Sequence, residues 1–164
     1  MAASKQPNKA FSLDAALLGA HATNNRINVY LIDNLPDAAW RAAPPGGKGR
    51  NIASIAAHMH NVRVMWLKAI GAKVVPDKLD PETATKPAAI AALEQSRKAL
   101  ETQLRVSLEN GGRVKGFKPD VASFFAYLIA HDAHHRGQIS MIARQTGHTL
   151  AQGVMFGLWE WGAR

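Results

Sequence analysis

Cysteine is absent from the 164 residues. Disulfides, thiolate metal sites and a cysteine nucleophile are therefore excluded. The absence is compatible with a reducing cytoplasm, and a cytoplasmic location is the expectation. Aromatic residues are few, at 7%, and no basic stripe interleaves with them. No apolar run approaches the ~20 residues that span a bilayer, so no membrane insertion is expected. Acidic residues are in deficit: 12 Asp and Glu stand against 20 Lys and Arg, a net charge of +8. The basic residues are dispersed, with small knots only at Lys48/Arg50 and Arg113/Lys115/Lys118. That pattern predicts a solvated basic surface. Nucleic-acid binding is the lesser alternative. The opening stretch "MAASKQPNKA" lacks the apolar core of a signal peptide and reads as a frayed tail over residues 1–10.

Apolar residues make up 47% and charged residues 20%, a balance ordinary for a globular chain. One domain spanning residues 1–164 is expected, long enough to bury a core. Four segments have helical length and pattern. The first runs from Leu13 to Asn34, with Ser12 as N-cap. "RAAPPGGKGR", residues 41–50, interrupts the pattern with two prolines and three glycines. The second helix spans Asn51 to Ile70 and stops at Gly71. "KVVPDKLDPETATKP" reads as a connector. The third helix spans Ala88 to Glu109, and the fourth Val121 to Thr146, between an Asp120 cap and a Gly147 stop. Strand signals are few, and no alternating hairpin is evident. The pattern predicts an all-α fold, a four-helix bundle with a short C-terminal tail. That tail carries Phe156, Leu158, Trp159 and Trp161, which should pack over the bundle or against a partner subunit.

The densest chemistry lies in "AHDAHHRGQ", residues 130–138, which holds three of the seven histidines. On a helix, His131 and His135 share a face with Phe124, Tyr127, Leu128, Gln138 and Ile142. An i, i+4 histidine pair on an apolar face is a geometry that chelates a divalent cation. Burying two imidazoles together costs desolvation twice, and one cation satisfies both. The second helix supplies candidates for a third ligand. His58 shares a face with Ser54, Ile55, Val62 and Met65, whereas His60 lies about 200° round the helix. His58 has the better surroundings, although this helix is apolar over much of its circumference. His134 is a further candidate, either replacing His135 or packing behind it. Gln138, one turn beyond His135, is placed to hydrogen-bond a ligand imidazole or a bound water. Asp132 is four residues before Arg136, which predicts a surface ion pair; orienting a histidine is its alternative role. His21 and His148 look isolated. Three histidines without cysteine suit Zn, Ni or Fe(II) and leave positions open for water or substrate.

These residues carry a resemblance. "HDAHHRGQISMIARQTG" resembles the H-x-x-x-H-R-G-Q-I stretch on the last helix of the DinB/YfiT-like family. "NIASIAAHMHNVRVMWL" is similar to that family's second helix, which follows a proline/glycine loop. The resemblance implies an up-down-down-up four-helix bundle, often a homodimer, with His58, His131 and His135 as metal ligands. It also implies a small-molecule substrate. Family members are linked to S-transfer with low-molecular-weight thiols and to hydrolysis. A thiol-dependent transferase is the leading expectation, with a metal-dependent hydrolase or a non-catalytic, stress-related metal binder as alternatives. Lys48 and Arg50, just before the second helix, are placed to hold an anionic cosubstrate.

Overall fold

The computed structural model describes residues 10–42 and 44–164. The tail expected over residues 1–10 lies, apart from Ala10, outside them. The chain is mostly helical. Its long helices are α1 (Leu13–Asp33), α3 (Ile52–Ile70), α4 (Lys86–Glu109) and α5 (Val121–Gln145), with short α2 (Asp37–Trp40) and α6 (Gln152–Gly157) between and after them. Among the described residues no helix is long and apolar enough to cross a membrane.

Each long helix begins on a side-chain cap, which satisfies backbone donors left free in the first turn. Ser12 Oγ accepts from Ala15, Asn51 Oδ1 from Ser54, Thr85 Oγ1 from Ala88 and Asp120 Oδ1 from Ser123. Gly71, at φ 84°, ends α3 in the left-handed conformation, and Ala72 N reaches back to the Leu67 carbonyl at 2.9 Å. This is a Schellman-type stop. α4 begins at Lys86, two residues before the start that its sequence suggested. Pro87 falls in its first turn, where a missing N–H costs nothing.

A hairpin that the pattern did not announce joins α4 to α5. β1 (Arg113–Val114) and β2 (Phe117–Asp120) pair antiparallel, with Val114 opposite Phe117. Two paired positions are too few to show alternation. The signal that was present is Gly116, at φ 83°, in a two-residue turn with Lys115.

Packing divides the interior into two apolar clusters. One gathers Leu31 and Ile32 near the end of α1, Ile52, Ile55 and Met59 early in α3, Leu93 early in α4, and Ile139 and Ala143 late in α5. The other gathers Leu18 of α1, Leu67 of α3, Leu100 and Leu104 of α4, and Phe124, Phe125 and Leu128 of α5. Thus α1 and α5 finish where α3 and α4 begin. Lys86 ties two of these ends together, donating to the Leu35 carbonyl at 2.6 Å. Each fully buried leucine or isoleucine contributes about 1.5–3 kcal/mol. Between the clusters lies a buried polar layer: His21, Asn24, Asn25 and Asn28 of α1, His60 and Arg63 of α3, Ser96 of α4, and Asp132 and His135 of α5.

The C-terminal segment packs only in part. Val154 and Leu158 rest against the first cluster, whereas Phe156 and Trp159 remain 63% and 80% exposed. Its end is anchored by Arg164, whose guanidinium lies 3.8 Å from the Tyr30 ring centre and donates to the Gly157 carbonyl. Gly157 makes this approach possible. A Cβ there would stand 2.5 Å from Tyr30 Oη and 2.8 Å from Arg164 Nη2. Gly157→Ala should therefore displace Tyr30 and Arg164 and cost about 1–3 kcal/mol, as overpacking usually does. Urea denaturation and limited proteolysis of the last turn would measure this; unchanged protection would show that the anchor is not needed.

Candidate metal centre

The apolar rows of α3 and α5 face one another, and this places His58 opposite the consecutive turns bearing His131 and His135. One ring nitrogen from each of the three lies within 4.8 Å of the others. His131 Nε2 and His135 Nε2 are 3.2 Å apart. The His58 ring lies 4.8 Å from that of His135 and 5.5 Å from that of His131, centre to centre. His135 is buried, and the other two are half-buried.

The two α5 imidazoles meet different groups on their far sides. His135 Nδ1 is 2.8 Å from Gln138 Oε1, as the spacing of the two residues suggested. His131 Nδ1 is 3.7 Å from Asp132 Oδ1, beyond hydrogen-bond length. With protons on both Nδ1 atoms, both Nε2 atoms present bare lone pairs. Burial first, then the Arg50 guanidinium and the neighbouring imidazoles, pushes the His58 pKa down to about 4. Burial also lowers that of His135, partly opposed by its bond to Gln138. Both are therefore neutral near pH 7, the form that coordinates a cation. No carboxylate or thiol joins the cluster among the described residues. Such a donor set fits a divalent cation of the Zn, Ni or Fe(II) kind.

The remaining histidines are placed elsewhere. His60 is buried and directs Nε2 to the Asp77 carbonyl at 2.8 Å, holding the α3–α4 connector. His134 is exposed and meets His135 only ring edge to ring, 5.0 Å between centres. His21 is buried against Phe125, and among the described residues neither ring nitrogen finds a hydrogen-bond partner. His148 is outside the cluster.

Asp132 does not form the surface pair with Arg136 that its spacing suggested. It is 2% exposed, and its Oδ2 accepts from Asn24 at 2.7 Å and from Asn28 and Arg63 at 2.8 Å each. Asn24 and Asn28 turn their amide oxygens outward to Arg136. The two asparagines thus stand between the expected partners. Arg63 is 1% exposed and also donates to Asn25 Oδ1 at 2.7 Å and the Leu93 carbonyl at 3.0 Å. Burial is the largest influence on Asp132 and opposes its charge. The Arg63 charge, the neighbouring His131 ring and the hydrogen bonds from Arg63 and Asn28 outweigh it and hold the carboxyl well below the usual carboxylate range. Arg63 and the asparagines were missed in the sequence, although "NNRIN" in an inward-facing helix was a signal.

A cavity of about 400 Å³ opens beside His58, lined also by Arg50, Ser54, Asn61 and Glu82. Arg50 continues into a second recess, of about 270 Å³, with Lys48 and Gln138. Arg50 therefore stands beside His58, and Lys48 lines the adjoining recess.

The chain is helical, and its three converging histidines, one of which lines an open cavity, could hold a metal ion. The chain belongs to the DinB family, which it matches over residues 7–156. No curated protein and no solved structure matches it.

Two outcomes follow from the buried charges. Arg63→Met leaves the Asp132 carboxylate without its partner and should cost about 3–5 kcal/mol, read from urea denaturation. The second concerns pH. His21 and His58 are both held near 4 in the folded protein, against ~6.5 in an unfolded chain. Between those values the unfolded chain binds more protons, so the stability of metal-free protein should fall as pH drops from about 6.5 toward about 4. His21→Leu should flatten that slope, whereas an unchanged slope would mean that His21 takes no part in it.

Proposed function

We propose that this DinB-family protein is a metal-dependent enzyme, with His58, His131 and His135 holding one divalent cation: Zn, Ni or Fe(II). The observation that carries the reading is the convergence of three imidazole nitrogens from two helices within 4.8 Å, with no carboxylate or cysteine among them. Three protein ligands leave room for an exogenous one. We further propose that α1, α3, α4 and α5 make the up-down-down-up bundle of a single domain. In support, one apolar cluster joins the ends of α1 and α5 to the starts of α3 and α4.

A bound divalent cation supplies a Lewis acid and favours the ionised form of a thiol or water presented to it. The chain has no thiol of its own, so S-transfer takes its nucleophile from a low-molecular-weight thiol. The cavity beside His58 admits that thiol and a small electrophilic substrate, with Arg50 on its wall and Lys48 in the adjoining recess to bind an anionic group. Gln138 holds His135 from behind. Hydrolysis is a second reading, favoured by Glu82 on the wall of the same cavity, where a carboxylate can serve as general base. The exposed Phe156, Trp159 and Trp161 favour a homodimer formed through the C-terminal segment.

Protein purified without chelator or affinity tag should contain about one divalent metal per chain by elemental analysis. Alanine at His58, His131 or His135 should lower occupancy sharply, whereas His60→Ala and His148→Ala should retain it. A panel of small thiols and model electrophiles should then give turnover that needs both thiol and metal and is lost in His131→Ala. Cleavage of esters or amides without thiol would select the hydrolase, and metal without any turnover would leave a binding protein.

A further inference from the structure

The buried carboxylate of Asp132 is difficult to account for by stability alone. Desolvating an ion pair offsets much of its attraction, and well-packed apolar residues of similar volume often do as well or better. Yet α1, α3 and α5 all contribute to this arrangement, and both Arg63 and Asp132 are removed from water. The distribution of contacts is uneven. Asn24, Asn28 and Arg63 all converge on Oδ2. Among the described residues Oδ1 receives no hydrogen bond, and it faces His131 Nδ1 at 3.7 Å. On the opposite edge of that ring, Nε2 faces His135 Nε2 at 3.2 Å.

A neutral imidazole carries its proton on one nitrogen and its lone pair on the other. A carboxylate beside Nδ1 keeps the proton there, leaves Nε2 bare and makes it a stronger donor. We propose that Asp132 is a positioning residue for His131: the charge on Oδ1, 3.7 Å from Nδ1, favours the proton on that nitrogen without a direct hydrogen bond, while Arg63, Asn24 and Asn28 fix the carboxylate through Oδ2. This rests on His131 being a ligand, but the tautomer itself belongs to the metal-free chain. Gln138 does the same for His135 with a neutral oxygen. The two Nε2 lone pairs then face each other with no proton between them. Their 3.2 Å separation is close to the roughly 3.3 Å that two nitrogens take on a tetrahedral cation with bonds of about 2.0–2.1 Å. The pair is thus spaced for a cation, and Asp132 keeps a proton from taking its place.

Asp132→Asn tests the idea with little change of shape. Its amide oxygen would stay with the three donors, which turns the NH₂ group toward His131 Nδ1 and disfavours a proton there. Long-range ¹H–¹⁵N NMR of metal-free protein reads the tautomer directly. We expect His131 protonated at Nδ1 in the parent and at Nε2 in Asp132→Asn. Competition titration with Zn should show affinity reduced by about 10–100-fold in the variant. A parent protein with His131 protonated at Nε2 would overturn the proposal, whether or not the variant folds. So would a folded variant that keeps the Nδ1 proton or binds Zn as tightly as the parent. A parent that binds no metal yet shows the Nδ1 tautomer would sink the metal reading while leaving the placement of the proton intact.

Discussion

The ion pair between Arg63 and Asp132 is the constraint around which the rest of the interior is arranged. It occupies the layer between two apolar clusters, where an unpaired charge is expensive. Its partners come from α1 and α5, and the Leu93 carbonyl brings in α4. Sliding any of these helices by one turn, about 5.4 Å, would bury a charge without its partner. Apolar contacts alone do not discriminate so sharply, because leucine and isoleucine repack with modest loss. The polar layer therefore sets which turns of α3 and α5 face each other, and with them His58, His131 and His135.

This layer also explains why the histidine cluster sits where it does. His131 and His135 are in the middle of α5, with Asp132 between them in sequence but aimed into the interior. One helical stretch thus serves two purposes. Its outer edge presents imidazoles to His58 of α3, and its inner edge locks the helix against α1 and α3. Arg136 extends the lock through the amide oxygens of Asn24 and Asn28. Burial disfavours charge at both His58 and Asp132, and their partners decide the outcome: His58, beside Arg50 and two other imidazoles, stays neutral, whereas the guanidinium beside Asp132 keeps it ionised.

Much of this was legible in the sequence because it depends on short-range rules. Ser12, Gly71, Asp120 and Gly147 mark helix limits by capping chemistry, and His131 and His135 fall together by helical period alone. The choice of His58 over His60 was accessible from the apolar face of α3, although not decided by it. What escaped reading depends on contacts distant in sequence. Asp132 is four residues before Arg136, and no local rule shows that α1 will place two asparagines between them. Nothing local marks Arg63 for burial, because its partners come from α1, α4 and α5. The β1–β2 hairpin was too short to leave a period. The C-terminal segment was read as wholly packed or partnered; the fold covers Leu158 and leaves Trp159 in water.

The loop ahead of α3 separates what can vary at this site from what cannot. Gly46, Gly47 and Gly49 all adopt positive φ, so side chains there would strain the backbone whatever their chemistry. Lys48 and Arg50, set between and after them, are exposed and carry no such demand. The entrance can therefore exchange its charges without moving the imidazoles below it. Two codons are enough to reverse the charge at this rim while the three-histidine floor keeps its geometry.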